Sequence, residues 1–129
     1  LPEVKAKVVC MCQGGNSRSV ALAYLLKYKY GVDALACSWE KNSEATRRML
    51  FGWADKIFIM QAHFLEHVPA EFRTKTQVID VGPDVWFNGL DPELVALCDE
   101  LLNSKAKEHL TASMISREAM QVLEGKVKL

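Results

Sequence analysis

Lys5-Ala-Lys-Val-Val-Cys-Met11 runs without a break into Cys12-Gln-Gly-Gly-Asn-Ser-Arg18-Ser19, and an apolar helical pattern opens at Val20. The first seven residues read as a buried β-strand. A thiol follows, then five residues that include Gly14 and Gly15, then a guanidinium, all between strand and helix. Glycines let successive backbone N–H groups turn inward, and a helix N-terminus adds partial positive charge. Gln13, Gly14, Gly15, Asn16, Ser17, Arg18 and Ser19 are therefore the candidate phosphate-binding residues. Arg18 offers a planar fork that matches two phosphate oxygens. Cys12 stands at the base of this cradle, where a thiolate can attack phosphorus.

Taken singly, these features say little. A cysteine at a strand end is usually a small buried hydrophobe, and a Gly-Gly pair is usually a turn. Their conjunction with an arginine at this spacing, between strand and helix, carries the reading of cysteine-based phosphate chemistry. The two common nucleotide fingerprints do not fit. The loop lacks the Gly-Lys-Ser/Thr ending of a triphosphate-binding loop and the three-glycine spacing of a dinucleotide fold.

The 129 residues are expected to form one domain, residues 1–129, with a single core. Sixteen basic and sixteen acidic side chains cancel, so neither a nucleic-acid arm nor a polybasic membrane patch is expected. No apolar run approaches the roughly 20 residues of a membrane span. The first residue is Leu1 rather than Met, which reads as a processed or trimmed start, and no signal-peptide pattern opens the chain. Cys10, Cys12, Cys37 and Cys98 form no C-x-x-C pair and do not cluster with His63, His67 or His109. Neither a zinc site nor a disulfide framework is expected; reduced thiols point to the cytoplasm.

Beyond the cradle, Ala21, Leu22, Leu25, Leu26 and Tyr28 mark the helix, with Gly31 as its stop. Asp33 to Ser38 reads as a second strand. Asn42 or Ser43 then caps a helix whose buried stripe is Ala45, Met49, Leu50 and Trp53, with Arg47 and Arg48 solvated outside. Lys56 to Met60 is a third strand and Thr76 to Val81 a fourth. Phe64, Leu65 and Val68 imply a short helix between them, ending at Pro69. Asp91-Pro92-Glu93 is the clearest helix start: a capping side chain, proline at the first position, then an acid for the dipole. Leu94, Leu97, Cys98, Leu101 and Leu102 share its inner face, and a last amphipathic segment spans Ser113 to Glu124. Strands alternating with helices predict an α/β three-layer sandwich, its parallel sheet covered on both faces. Ligands in such folds bind outside the carboxyl ends of the strands, where the cradle lies.

The cradle, the alternating order and the small size together resemble the low-molecular-weight protein tyrosine phosphatase family over roughly residues 5 to 105. Trp53-Ala-Asp-Lys-Ile-Phe-Ile-Met60, Asp80-Val-Gly-Pro-Asp84 and Leu90-Asp-Pro-Glu-Leu-Val95 resemble a branch of predicted tyrosine phosphatases. The resemblance implies a four-stranded parallel sheet with helices on both sides. It also implies hydrolysis of phosphate monoesters through a phosphocysteine, without metal or cofactor. Cys12 matches the nucleophile, Arg18 the phosphate-binding arginine and Ser19 the hydroxyl that hydrogen-bonds the thiolate. The family's general acid is an aspartate in the loop after the fourth strand, and Asp84, two residues before Trp86, is its best match. Asp80 and Asp91 are rivals, Asp91 more as a helix cap and Asp80 as a strand-end residue that orients the cradle. The chain departs from the family pattern in three places. Gly15 takes the place of an asparagine that here comes one later as Asn16, and Val20 and Val85 replace prolines.

The helix terminus, Arg18 and the Ser19 hydroxyl are expected to favour the thiolate of Cys12. Trp39, His63, Phe64, Trp86 and Phe87 follow strands, and an aromatic wall of that kind suits an aryl phosphate. Cys10 reads as a structural thiol. The expected partner is a phosphorylated protein or a small phosphomonoester, with oligomeric state left open. Three other functions share the pattern. A catalytically weak module could recognise phosphate only. A cysteine phosphoryl carrier would hold the group, but Arg18 would promote its loss to water. An arsenate reductase needs two further cysteines near the fourth strand, and only Cys98 lies beyond it.

Overall fold

A computed structural model describes residues 5–109, with side chains through residue 104. The amphipathic segment expected from Ser113 to Glu124 lies outside the described residues. Strand β1 (Lys7–Cys12) leads into helix α1 (Arg18–Tyr28), then β2 (Asp33–Ser38), α2 (Glu44–Trp53) and β3 (Lys56–Ile59). Two 3₁₀ segments, Ala62–His67 and Ala70–Lys75, precede β4 (Thr76–Val78), and α3 (Pro92–His109) follows. The four strands form one parallel sheet in the order β2-β1-β3-β4. Cys12 lies opposite Ser38 on one side of β1, and Met11 lies opposite Ile59 on the other.

Chain direction decides the layers. The connection from β1 to β2 and the connection from β2 to β3 run opposite ways across the sheet. Right-handed crossovers therefore set α1 on one face and α2 on the other. The reversal leaves a crevice at the carboxyl end of β1. Helix α3 returns to the α1 face, where Lys29 and the Tyr30 hydroxyl both bond Asp99, the latter at 2.6 Å. Val8 to Cys12 and Ile57 to Ile59 are buried throughout, so the central strands read as continuous apolar runs.

Several expectations shift. Helix α1 starts at Arg18, two residues earlier than the apolar pattern, which puts both Arg18 and Ser19 in its first turn. Ala21, Leu22, Leu25 and Leu26 are buried as expected, but Tyr28 is exposed beside Tyr24. Ser43 is the α2 cap, accepting from the Thr46 N–H at 3.1 Å. The buried residue of α2 is Phe51, which meets Phe72; Ala45 and Met49 are exposed, and Leu50 and Trp53 only partly covered. Burying a large side chain is worth about 1.5–3 kcal/mol, and the ring turns the helix toward the sheet at the expense of Met49. Arg47, one turn before Phe51, is consequently drawn inward. It donates to the carbonyls of Trp39 (3.0 Å) and Asn42 (2.6 Å), whereas Arg48 stays outside with Glu44 and Glu71. The helix expected before Pro69 is a 3₁₀ segment, and β4 ends at Val78 rather than Val81. In α3, Leu94, Cys98 and Leu102 are fully buried. None of the described helices is long and apolar enough to cross a membrane.

Candidate active site

Four segments meet at the carboxyl end of the sheet: residues 12–18, 38–42, 61–67 and 80–91. The first begins with Cys12, the last residue of β1, which is buried. Its Sγ lies 3.1 Å from the Ser19 Oγ and accepts from the Gly15 N–H at 3.2 Å. The sulfur thus faces a hydroxyl and an amide, groups that can hold a negative charge on it. Gly15 has φ +70°, and a Cβ there would come within 3.0 Å of the Ser38 Cβ. Only glycine suits that combination of left-handed backbone and close approach.

Ser38 and Asn42 build the support beneath. The Ser38 hydroxyl donates to the Gln13 carbonyl and accepts from the N–H groups of Glu40 (3.1 Å) and Lys41 (2.7 Å). Asn42 Oδ1 accepts from the Ser38 N–H at 2.7 Å. Two backbone bonds, Trp39 N–H to the Cys12 carbonyl (3.2 Å) and Glu40 N–H to the Gln13 carbonyl (3.3 Å), continue the ladder past β2. Neither Ser38 nor Asn42 carries a local signal of this role, because the pairing with β1 alone brings them under the cradle.

Arg18 is 1% exposed. Its Nη1 donates to Gln61 Oε1 (2.8 Å) and to the Gly82 carbonyl (3.0 Å), and its guanidinium lies 5.5 Å from the centroid of the Phe64 ring. Its Nε is buried without a partner, and no carboxylate pairs with it among the described residues. Gln61 has no precedent in the motif; it reaches Arg18 because β3 lies beside β1.

The three aspartates separate cleanly. Asp84 accepts from the Ser17 hydroxyl at 3.1 Å, linking the loop after β4 to the cradle. Ser17 stands at the start of α1 but makes no side-chain cap bond, so its hydroxyl is directed to Asp84 instead. Asp80 accepts from the Gly82 N–H at 2.8 Å, a local turn, and Asp91 accepts from the Glu93 N–H at 2.9 Å, a helix cap. Gly89 brings this loop onto α1: a Cβ there would stand 2.7 Å from a Val20 methyl. The aromatic residues expected at the rim divide. Phe64 is core, Trp39 and Trp86 are half-buried, and His63 and Phe87 are exposed. Asn16 is exposed at the tip of the cradle.

Burial disfavours the thiolate form of the remaining cysteines. It pushes Cys37 and Cys98 up to about 12, with the nearby Cys12 adding to the effect on Cys37 and Asp99 to that on Cys98. Cys10, fully enclosed, is raised well above its usual range. Among the described residues, no group of three or more His, Cys, Asp or Glu side chains is placed to hold a metal ion.

Neither a model of a protein family nor a curated protein matches the sequence. Solved structures match the fold. That of Wzb from Vibrio vulnificus, in complex with benzylphosphonate, is similar over 96% of this chain and 100% of its own, with TM-score 0.57 and 16% identity. YwlE arginine phosphatase from Geobacillus stearothermophilus covers 82% of this chain and 98% of its own, with TM-score 0.50 and 19% identity. The fold is that of the low-molecular-weight phosphatases. Within this fold a Cys-x₅-Arg-Ser loop lies between β1 and α1. With identity so low, what carries the function must come from the site itself.

Proposed function

We propose that the chain is a cysteine-dependent phosphomonoesterase acting on aryl phosphates, with phosphotyrosine in proteins as the main substrate. The reading rests on Arg18. A guanidinium this buried, with a donor unsatisfied and only neutral partners, is costly unless an anion completes it. A phosphate in the cradle supplies that anion. The proximity of Sγ to Ser19 and Gly15 supports Cys12 as the nucleophile.

In this scheme Sγ attacks phosphorus in line with the ester oxygen; the S–P bond forms as the P–O bond breaks. Backbone N–H groups of residues 13–18 and Arg18 stabilise the charge on the transferring group. Asp84 gives its proton to the leaving oxygen, then takes one from the water that cleaves the S–P bond, releasing phosphate and the thiolate. Assistance of this kind is worth about 10²–10⁴-fold. The Ser17–Asp84 bond supports Asp84 over Asp80 and Asp91, both of which are spent on local turns and caps. The scheme uses no metal or cofactor, and its free thiols suit the cytoplasm.

The aryl preference draws on the exposed Val85 and Phe87 beside Asp84, and on the benzylphosphonate held by Wzb. Arg18 disfavours a phosphoryl carrier, and a recognition module would leave the sulfur idle. The deciding experiment is hydrolysis of para-nitrophenyl phosphate in the presence of EDTA, with and without Cys12→Ser. Turnover that survives EDTA and vanishes in the variant is expected. Turnover that requires added metal, or that persists in the variant, overturns the reading.

A further inference from the structure

A second cluster of cations lies on the flank of the molecule, beyond the cradle. The start of α2 and residues 66–73 enclose a cleft of about 260 Å³, lined among others by Arg47, Arg48, Arg73, His67, Glu44 and Glu66. The charges there are unevenly committed. Arg48 is taken by Glu44 and Glu71, and Glu66 sits 3.3 Å from His67. Arg47 spends Nη1 on two carbonyls, but its Nε is buried with no partner. Arg73 is fixed through Nε to the Val68 carbonyl at 3.0 Å and has no carboxylate partner among the described residues. Two guanidiniums are therefore held in place, and among the described residues no carboxylate pairs with either.

The cleft is tied to the cradle by a short file of ring contacts. Arg18 lies 5.5 Å from the Phe64 ring, Phe64 lies 5.7 Å from Trp39, and Trp39 stacks on His67 at 4.1 Å with planes 4° apart. An extended polypeptide advances about 3.3–3.6 Å per residue, so a side chain roughly three to five positions from a phosphorylated residue spans that file. A free aryl phosphate does not.

We propose that this cleft is a second anion subsite, which takes an oxyanion borne by the substrate polypeptide a few residues from the scissile phosphate. The inference rests on the phosphatase reading for its substrate, but the cleft binds whether or not turnover occurs. Arg73, with Arg47 beside it in the lining, grips the anion through charge-assisted hydrogen bonds. The source is an acidic residue or a second phosphorylated one, the chemistry being shared.

The test uses phosphotyrosyl peptides that are neutral around the phosphate, or carry glutamate, phosphoserine or lysine three to five residues to either side. The readout is the ratio of kcat/KM for each charged peptide to the neutral one, within each protein. For the unsubstituted protein that ratio should be roughly tenfold in favour of at least one anionic peptide, mostly through KM. It should fall to near one in Arg73→Gln and invert toward lysine in Arg73→Glu. The glutamate and phosphoserine arms tell the two sources apart. Binding of the same peptides to Cys12→Ser, followed by calorimetry, reports the cleft independently of chemistry. Anionic peptides binding tighter there, with no turnover by the unsubstituted protein, would keep the subsite and overturn the phosphatase reading. Equal ratios for anionic and neutral peptides, or a preference untouched by both Arg73 variants, overturn the subsite.

Discussion

The two loops that face each other across the site are built in opposite ways. Residues 12–18 are braced from below: the Ser38 hydroxyl, the Asn42 side chain and two backbone bonds anchor the loop or its supporting turn, and Arg18 is buried. Residues 80–91 lean on local turns at Asp80, Asn88 and Asp91, expose Asp84, Val85 and Phe87, and reach the cradle through Ser17 and the Gly82 carbonyl. A preorganised donor array is most useful where charge develops and must not move. In the proposed mechanism Asp84 first gives and then takes a proton, a task that a lighter frame allows provided one contact returns it to register.

Breaking the braced loop should have the largest effects. Cys12→Ser should reduce turnover to background, since losing a nucleophile costs on the order of 10⁶-fold. Phosphate binding and thermal stability should stay near those of the parent, as checked by calorimetry and a melting curve. Arg18→Lys keeps the charge but loses the fork held by Gln61 and Gly82. It should cost about 10²–10³-fold in kcat, the scale of losing one oriented donor. A nearly active lysine variant would mean that Arg18 acts as diffuse charge.

The lighter loop should fail more selectively. Asp84→Asn should slow an alkyl phosphate by roughly 10²-fold while changing a nitrophenyl ester far less, because only the poor leaving group needs the proton. Equal losses on both substrates would reduce Asp84 to a structural role. Ser17→Ala, which removes the hydroxyl bonded to Asp84, should reproduce the same selectivity in milder form. Gly89→Ala sharpens the contrast further: its new methyl meets Val20 and should lift the loop, costing about 1–3 kcal/mol in a denaturant melt. The same methyl would stand 3.1 Å from the Asn16 carbonyl, so activity on a nitrophenyl ester should fall as well, but less than on an alkyl phosphate.

The smallest effect separates the thiols. Near neutral pH, iodoacetate should label Cys12 alone in the native protein, and Cys12→Ser should take up none. Burial keeps Cys10, Cys37 and Cys98 protonated far into the alkaline range. Prompt labelling of a second cysteine, read by mass spectrometry of peptides, would contradict that burial.

What the chain states locally, it states well. The cradle is contiguous in sequence, so thiol, glycines and arginine announce themselves by spacing, and Asp91-Pro92 announces α3 by capping chemistry. The alternation of apolar runs was enough for a parallel sheet covered on both faces, because periodicity and turn residues are properties of neighbours along the chain. The inner face of α2 was legible only in part. Its apolar residues are spread around the helix, and only the packed sheet chose Phe51 over Met49 and turned Arg47 inward. Gln61, Ser38 and Asn42 were silent for a related reason: each acts on a residue that is distant in sequence or lies across a strand pair. The same holds for the different partners of the three aspartates. Hydrogen bonds between segments depend on strand order and register, which no local pattern encodes, and tertiary structure alone brought Asp84 to Ser17.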